Sequence, residues 1–82
     1  MVNYSVLFGD YLQGARMRQR KSITKLSKET GVSISLISLL ERGLRPQVSL
    51  ETALRLAQAT GMSLDDFLCE AMRVASEEDG RG

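Results

Sequence analysis

The stretch from Leu26 to Gly43, LSKETGVSISLISLLERG, constrains the fold of this chain more than any other. Gly31 breaks it, and Ser33 follows as a helix-start signal. Apolar residues at helical spacing stand on both sides of the glycine. The pattern predicts two short helices locked at a steep angle across a tight turn, with Leu26, Ile37 and Leu40 facing a shared core.

The same rhythm of serine start and glycine stop marks the rest of the chain. Ser5 is expected to cap a first helix running to about Arg20, with Phe8, Leu12 and Ala15 on one face. Gly9 and Gly14 weaken that helix by roughly 1 kcal/mol each where they are exposed. Ser22 opens a helix from Ile23 to Thr30, and Ile23 and Leu26 share a face of it. Ser33 opens a third helix to about Arg42, and Gly43 ends it. Leu44 to Val48 is a loop containing Pro46. Ser49 opens a fourth helix, read with Leu50, Ala53, Leu54 and Ala57 inward and Gly61 as its stop. Ser63 opens a fifth, to about Val74, with Leu64, Phe67 and Leu68 apolar. Asp65 and Asp66 sit in its first turn, where the helix dipole favours carboxylates. Strand-type alternation is nowhere sustained. An all-α, compact five-helix bundle is expected, as one domain over residues 1–76 with an acidic, disordered tail at 77–82.

A chain of 82 residues makes one domain with a modest core, which association with a second copy would help to stabilise. There is no histidine, and so neither the commonest general base nor the commonest metal ligand. Cys69 is the only cysteine, read as a small buried apolar residue. With no phosphate-cradling glycine loop and no ligand cluster, no enzyme activity, cofactor or metal is expected. No apolar run approaches a membrane span and no signal-peptide pattern opens the chain, so a cytoplasmic setting is the expectation.

Charge is unevenly divided. Up to Leu50 there are eight cations against three anions; from Glu51 onward there are three against seven. A basic half joined to an acidic half suggests a polyanion-binding face with its opposite side turned away.

The residues of the central motif identify the relatives. The chain resembles the lambda-repressor and Cro type of helix-turn-helix DNA-binding proteins, often called the XRE family, from about Phe8 to Leu68. The resemblance rests on FGDYLQGAR, SITKLSKETGVS, ISLLERG and SLETALRLAQATGMSLDDFL taken together. It implies a dimer that places the helix from Ser33 to Arg42 in the major groove of a palindromic operator on double-stranded DNA, usually to repress. It also implies a structural ion pair between Arg16 and Glu41. Base edges fall to Ser33, Ile34, Ser35 and Leu39, and phosphates to Ser22, Lys21, Lys25, Lys28, Arg42 and Arg45. Leu68 and Met72 are the residues assigned to the dimer interface, or else to the core.

Several positions depart from the family pattern. Ile34 and Leu39 stand where relatives usually carry Gln, Arg, Lys or Asn. Ile23 replaces a common phosphate-binding glutamine. Pro46 comes earlier and Ser49 later than the usual loop spacing. Lys21 and Thr60 stand where hydrophobic residues are common, which would thin the core. Two functions therefore remain open: a DNA regulator whose isoleucine and leucine touch thymine methyl groups, and a protein-interaction module, such as an anti-repressor, using Ile34, Leu36 and Leu39. A protein partner belongs to the second.

Overall fold

Helix ends explain most of the architecture. The computed structural model describes residues 3–45 and 47–80. It contains α1 (Tyr4–Arg18), α2 (Ile23–Thr30), α3 (Ile34–Glu41), α4 (Leu50–Thr60) and α5 (Leu64–Gly80), with no strand among the described residues. The fold is all-α. Ser22, Ser33, Ser49 and Ser63 each accept a hydrogen bond from the backbone N–H three residues on. Each such cap is worth about 1 kcal/mol.

Two boundaries of α1 differ from the sequence reading. Its cap is Asn3, whose side chain accepts from the N–H groups of Ser5 and Val6, so Ser5 lies inside the helix. The helix ends at Arg18 because the N–H of Arg20 turns back to the Met17 carbonyl and that of Lys21 to the Arg16 carbonyl. This closing pattern usually has glycine at the left-handed position. Here Arg20 takes it, at φ 56°. No glycine announces the stop in the sequence.

One apolar core joins all five helices. Phe8, Leu12 and Ala15 of α1 meet Leu26, Val32, Ile37, Leu40, Leu56, Ala57, Met62, Phe67 and Ala71. The Phe67 ring docks edge-on against Phe8 and Tyr11, with centroids 5.6 and 5.7 Å away. This contact ties the first turn of α5 to α1.

The inward face of α4 is Ala53, Leu56, Ala57 and Thr60, not the set containing Leu50 and Leu54. Helical spacing counted from Ala53 brings Leu56 fully inside and turns Leu50 outward, 75 % exposed. Thr60 is buried without an unmet polar group, since its hydroxyl donates to the Leu56 carbonyl at 2.8 Å. Cys69 is likewise exposed rather than buried. The buried side of α5 carries Phe67 and Ala71, and Cys69 falls around the helix from them.

Helix α5 passes Val74 and continues through the start of the expected tail to Gly80. Arg73 bridges Glu70 and Glu77 along its surface. Helix α5 packs chiefly on α1, and the molecule measures 43 × 21 × 20 Å. Pro46, Arg81 and Gly82 lie outside the described residues.

Gly9 is a contact point rather than a weakness. A Cβ there would lie 1.8 Å from the Leu40 carbonyl oxygen, so α1 and α3 touch backbone to backbone. At Gly14 the nearest atom to such a Cβ is 3.5 Å away, at the end of the Arg18 side chain. Gly9→Ala is therefore expected to destabilise the protein by about 1–3 kcal/mol. Gly14→Ala is expected to stabilise it by up to about 1 kcal/mol. Urea denaturation of both variants checks the pair, and equal effects would contradict the close crossing.

Candidate nucleic-acid interface

The turn between α2 and α3 is closed by its own side chains. Gly31 takes φ 76°, which lets the chain leave α2, and its N–H reaches the Ser27 carbonyl. The Thr30 hydroxyl donates to the Leu26 carbonyl and accepts from the Val32 N–H. The Ser27 hydroxyl donates to the Val32 carbonyl at 2.6 Å, while Val32 itself is buried. A turn with its polar groups satisfied and its apolar side chain anchored has little freedom to reorient α3.

Arg16 fixes the far end of α3. Its Nε donates to Glu41 Oε2 at 2.7 Å and its Nη2 to Glu41 Oε1 at 2.8 Å. The remaining nitrogen, Nη1, donates to the Lys21 carbonyl at 2.7 Å. One guanidinium thus joins α1, the last residue of α3 and the connection into α2. The Glu41 side chain is 3 % exposed and that of Arg16 14 %. Hydrogen bonding to Glu41 raises the Arg16 pKa above its usual value, against the opposing effect of burial.

This frame sets which face of α3 is free. Ile37 and Leu40 are buried with Glu41 beside them, and Leu36 is half-buried. Opposite them, at helical spacing, lie Ser35, Ser38, Leu39 and Arg42. Ser33, Ser35 and Arg42 are exposed, Ser38 and Leu39 partly so, and Ile34 is 49 % exposed at the first turn.

Exposed cations stand on the elements before and after this helix. Lys25 and Lys28 of α2, and Arg42 and Arg45 after α3, are all exposed, and among the described residues none of them forms an ion pair. Arg45 Nε makes only a long contact, 3.3 Å, to the Gln47 carbonyl. Ser22 is exposed at the start of α2, its oxygen accepting from the Lys25 N–H.

A model of the helix-turn-helix domain family matches residues 7–67. The chain belongs to that family. Searches of curated proteins and of solved structures returned no match. The matched span of the helix-turn-helix domain takes in α2, the turn, α3 and α4 whole, and ends at Phe67 in α5.

Within the helix-turn-helix, one residue assigned to phosphate is committed elsewhere. Lys21 is largely buried, paired with Glu29 at 2.8 Å and bonded to the Ala59 carbonyl. Its ammonium joins Glu29 of α2 to the Ala59 carbonyl of α4, so the charge is held between two helices rather than free to reach outward. The hydrogen bond from Lys21 holds the Glu29 carboxyl below its ordinary pKa. Ser38 was not singled out in the sequence, although the repeat from Ser35 to Arg42 passes through it. Leu68 and Met72 are 53 % and 71 % exposed, which excludes a core role in this chain alone. Among the described residues no group of ligating side chains could hold a metal, and no helix is long and apolar enough to cross a membrane.

Truncating Glu41 alone leaves the largely buried Arg16 charge with no counter-ion and only the Lys21 carbonyl as a hydrogen-bond partner. Glu41→Ala is expected to cost about 3–5 kcal/mol. The double variant Arg16→Met, Glu41→Leu should recover most of that loss, because neither charge is then stranded. Denaturation midpoints compare the two, and a double variant no more stable than Glu41→Ala would contradict this reading of the pair.

Proposed function

We propose that this protein is a sequence-specific DNA-binding transcriptional regulator of the lambda-repressor and Cro type. It acts as a dimer on a palindromic operator, and it represses by occupying that site. The observation that carries the reading is the outward face of α3. It is exposed, rigidly framed by the Arg16–Glu41 fork, and bordered by cations that no ion pair engages among the described residues. Buried charge joins the frame while exposed cations, unpaired among the described residues, stand before and after the helix, which is the division a groove-reading helix needs.

In this arrangement α3 enters the major groove from its N-terminal end. Ser33, Ile34, Ser35, Ser38 and Leu39 meet base edges, and Arg42 and Arg45 meet phosphates beyond them. Ser22 and the N–H groups at the start of α2 meet the backbone on the other side, where the helix dipole favours a phosphate. Lys25 and Lys28 add to that side. The acidic second half of the chain faces away from the duplex. The reaction is binding alone, with no catalytic step or cofactor, and it takes place wherever the cell keeps its DNA.

A second copy supplies the other half-site. Leu68 and Met72 lie on the exposed side of α5, with Ala75 on the same helical face. Tyr4 and Leu50 extend the apolar surface toward α1 and α4. A two-fold pairing of these patches would bury them and set the α3 helices about 34 Å apart, one turn of DNA.

A duplex selected from random sequence tests this. Tight binding to one palindrome is expected, with log Kd rising against log salt by about 0.9 per phosphate neutralised. Arg42→Ala should weaken all duplexes alike and reduce that slope by about 1. In sedimentation equilibrium, Leu68→Glu with Met72→Glu should turn dimers into monomers. No duplex binding at low salt, together with a protein partner blocked by Ile34→Lys, would replace this reading with the interaction module.

A further inference from the structure

The side chains that α3 presents are unusual in what they lack. From Ser33 to Glu41 there is no Arg, Lys, Asn or Gln. Those are the residues that read guanine or adenine through paired hydrogen bonds in the major groove. The only acid, Glu41, is engaged at both carboxylate oxygens by Arg16 and cannot accept from cytosine. Three serines supply the polar groups, and the Ser33 oxygen already accepts from the Leu36 N–H. A serine hydroxyl bonds any base edge and discriminates weakly. Arg42 closes the helix and is assigned to phosphate above, so the sequence information left to α3 comes from apolar contact.

One feature of the major groove answers to apolar contact, the C5-methyl group of thymine. Ile34 stands in the first turn of α3, half exposed, and Leu39, five residues on, lies partly exposed at the other edge of the outward face. They are separated by Ser35 and Ser38. Exposed cations on α2 and directly after α3 suit the negative walls of a duplex. An apolar protein partner would not call for those charges.

On the DNA-binding reading above, we propose that α3 reads pyrimidine C5-methyl groups through Ile34 and Leu39. Thymine is then preferred at the two base pairs these residues meet in each half-site, and 5-methylcytosine presents the same group. Unmethylated cytosine does not. Phosphate contacts and dimer formation supply the bulk of the affinity.

The test changes the DNA and leaves the protein intact. The selected palindrome is compared with duplexes in which thymines are replaced, position by position, by deoxyuridine. Removing one contacted methyl is expected to weaken binding about fourfold, corresponding to about 0.8 kcal/mol for a buried methyl-sized group. Placing 5-methylcytosine at a contacted position in a cytosine-substituted operator should recover part of the loss, and plain cytosine should not. Ile34→Ala should abolish the thymine–deoxyuridine difference at one position and Leu39→Ala at another, each leaving the salt slope unchanged. Specific binding that is indifferent to every deoxyuridine replacement overturns the methyl readout and leaves the regulator standing. Absence of binding to any duplex overturns both.

Discussion

The position of α3 depends on one guanidinium. Arg16 spends its donors on both oxygens of Glu41 and on the Lys21 carbonyl, and so ties three parts of the chain at a single point. The planar fork makes this possible; a lysine in its place would offer a point charge and no fixed angle. Because Glu41 is the last residue of α3, the bond acts at the end of the helix that the α2–α3 turn does not hold. With Gly9 allowing α1 to meet Leu40 backbone to backbone, the helix is held at both ends and along its inner face. Its outer face is what remains.

Charge is sorted by the same logic. Cations inside the frame are paired: Arg16 with Glu41 and Lys21 with Glu29. On the acidic side, Arg55 and Arg73 are paired along their own helices with Glu51, Glu70 and Glu77. The exposed cations for which the described residues provide no ion pair, such as Lys25, Lys28, Arg42 and Arg45, belong to the basic half. Exposed pairs of this kind contribute little to stability, so the sorting matters for what the surface attracts more than for how tightly the chain folds.

Much of this was legible in the sequence because the signals were local. Serine caps and glycine stops placed α2, the turn and α3 closely, and the helical repeat of Phe8, Leu12 and Ala15 marked the inner face of α1. What escaped were features decided by partners distant along the chain. Leu50 looks like a core residue until the packing of Leu56 rotates α4. Gly9 looks like a flaw until α3 is placed against it. Lys21 looks like a surface cation, yet its partners are Glu29 and, far along the sequence, Ala59. The end of α1 escaped for a different reason, since Arg20 occupies a conformation that glycine usually marks. At the interface, exposure could be read for Ile34 and Ser35, while Ser38 needed the observed rotation of α3 to be noticed.

The most direct test of the central claim is a backbone amide NMR titration of the protein with its selected duplex. The expected result is that the large shifts fall on Ser22–Lys28 and Ser33–Arg45, while the amides of Leu64–Ser76 move little beyond what dimer formation alone produces. Saturable shifts confined to α5, or an α3 whose amides do not respond to DNA at all, would contradict the claim that this framed helix is the reading surface.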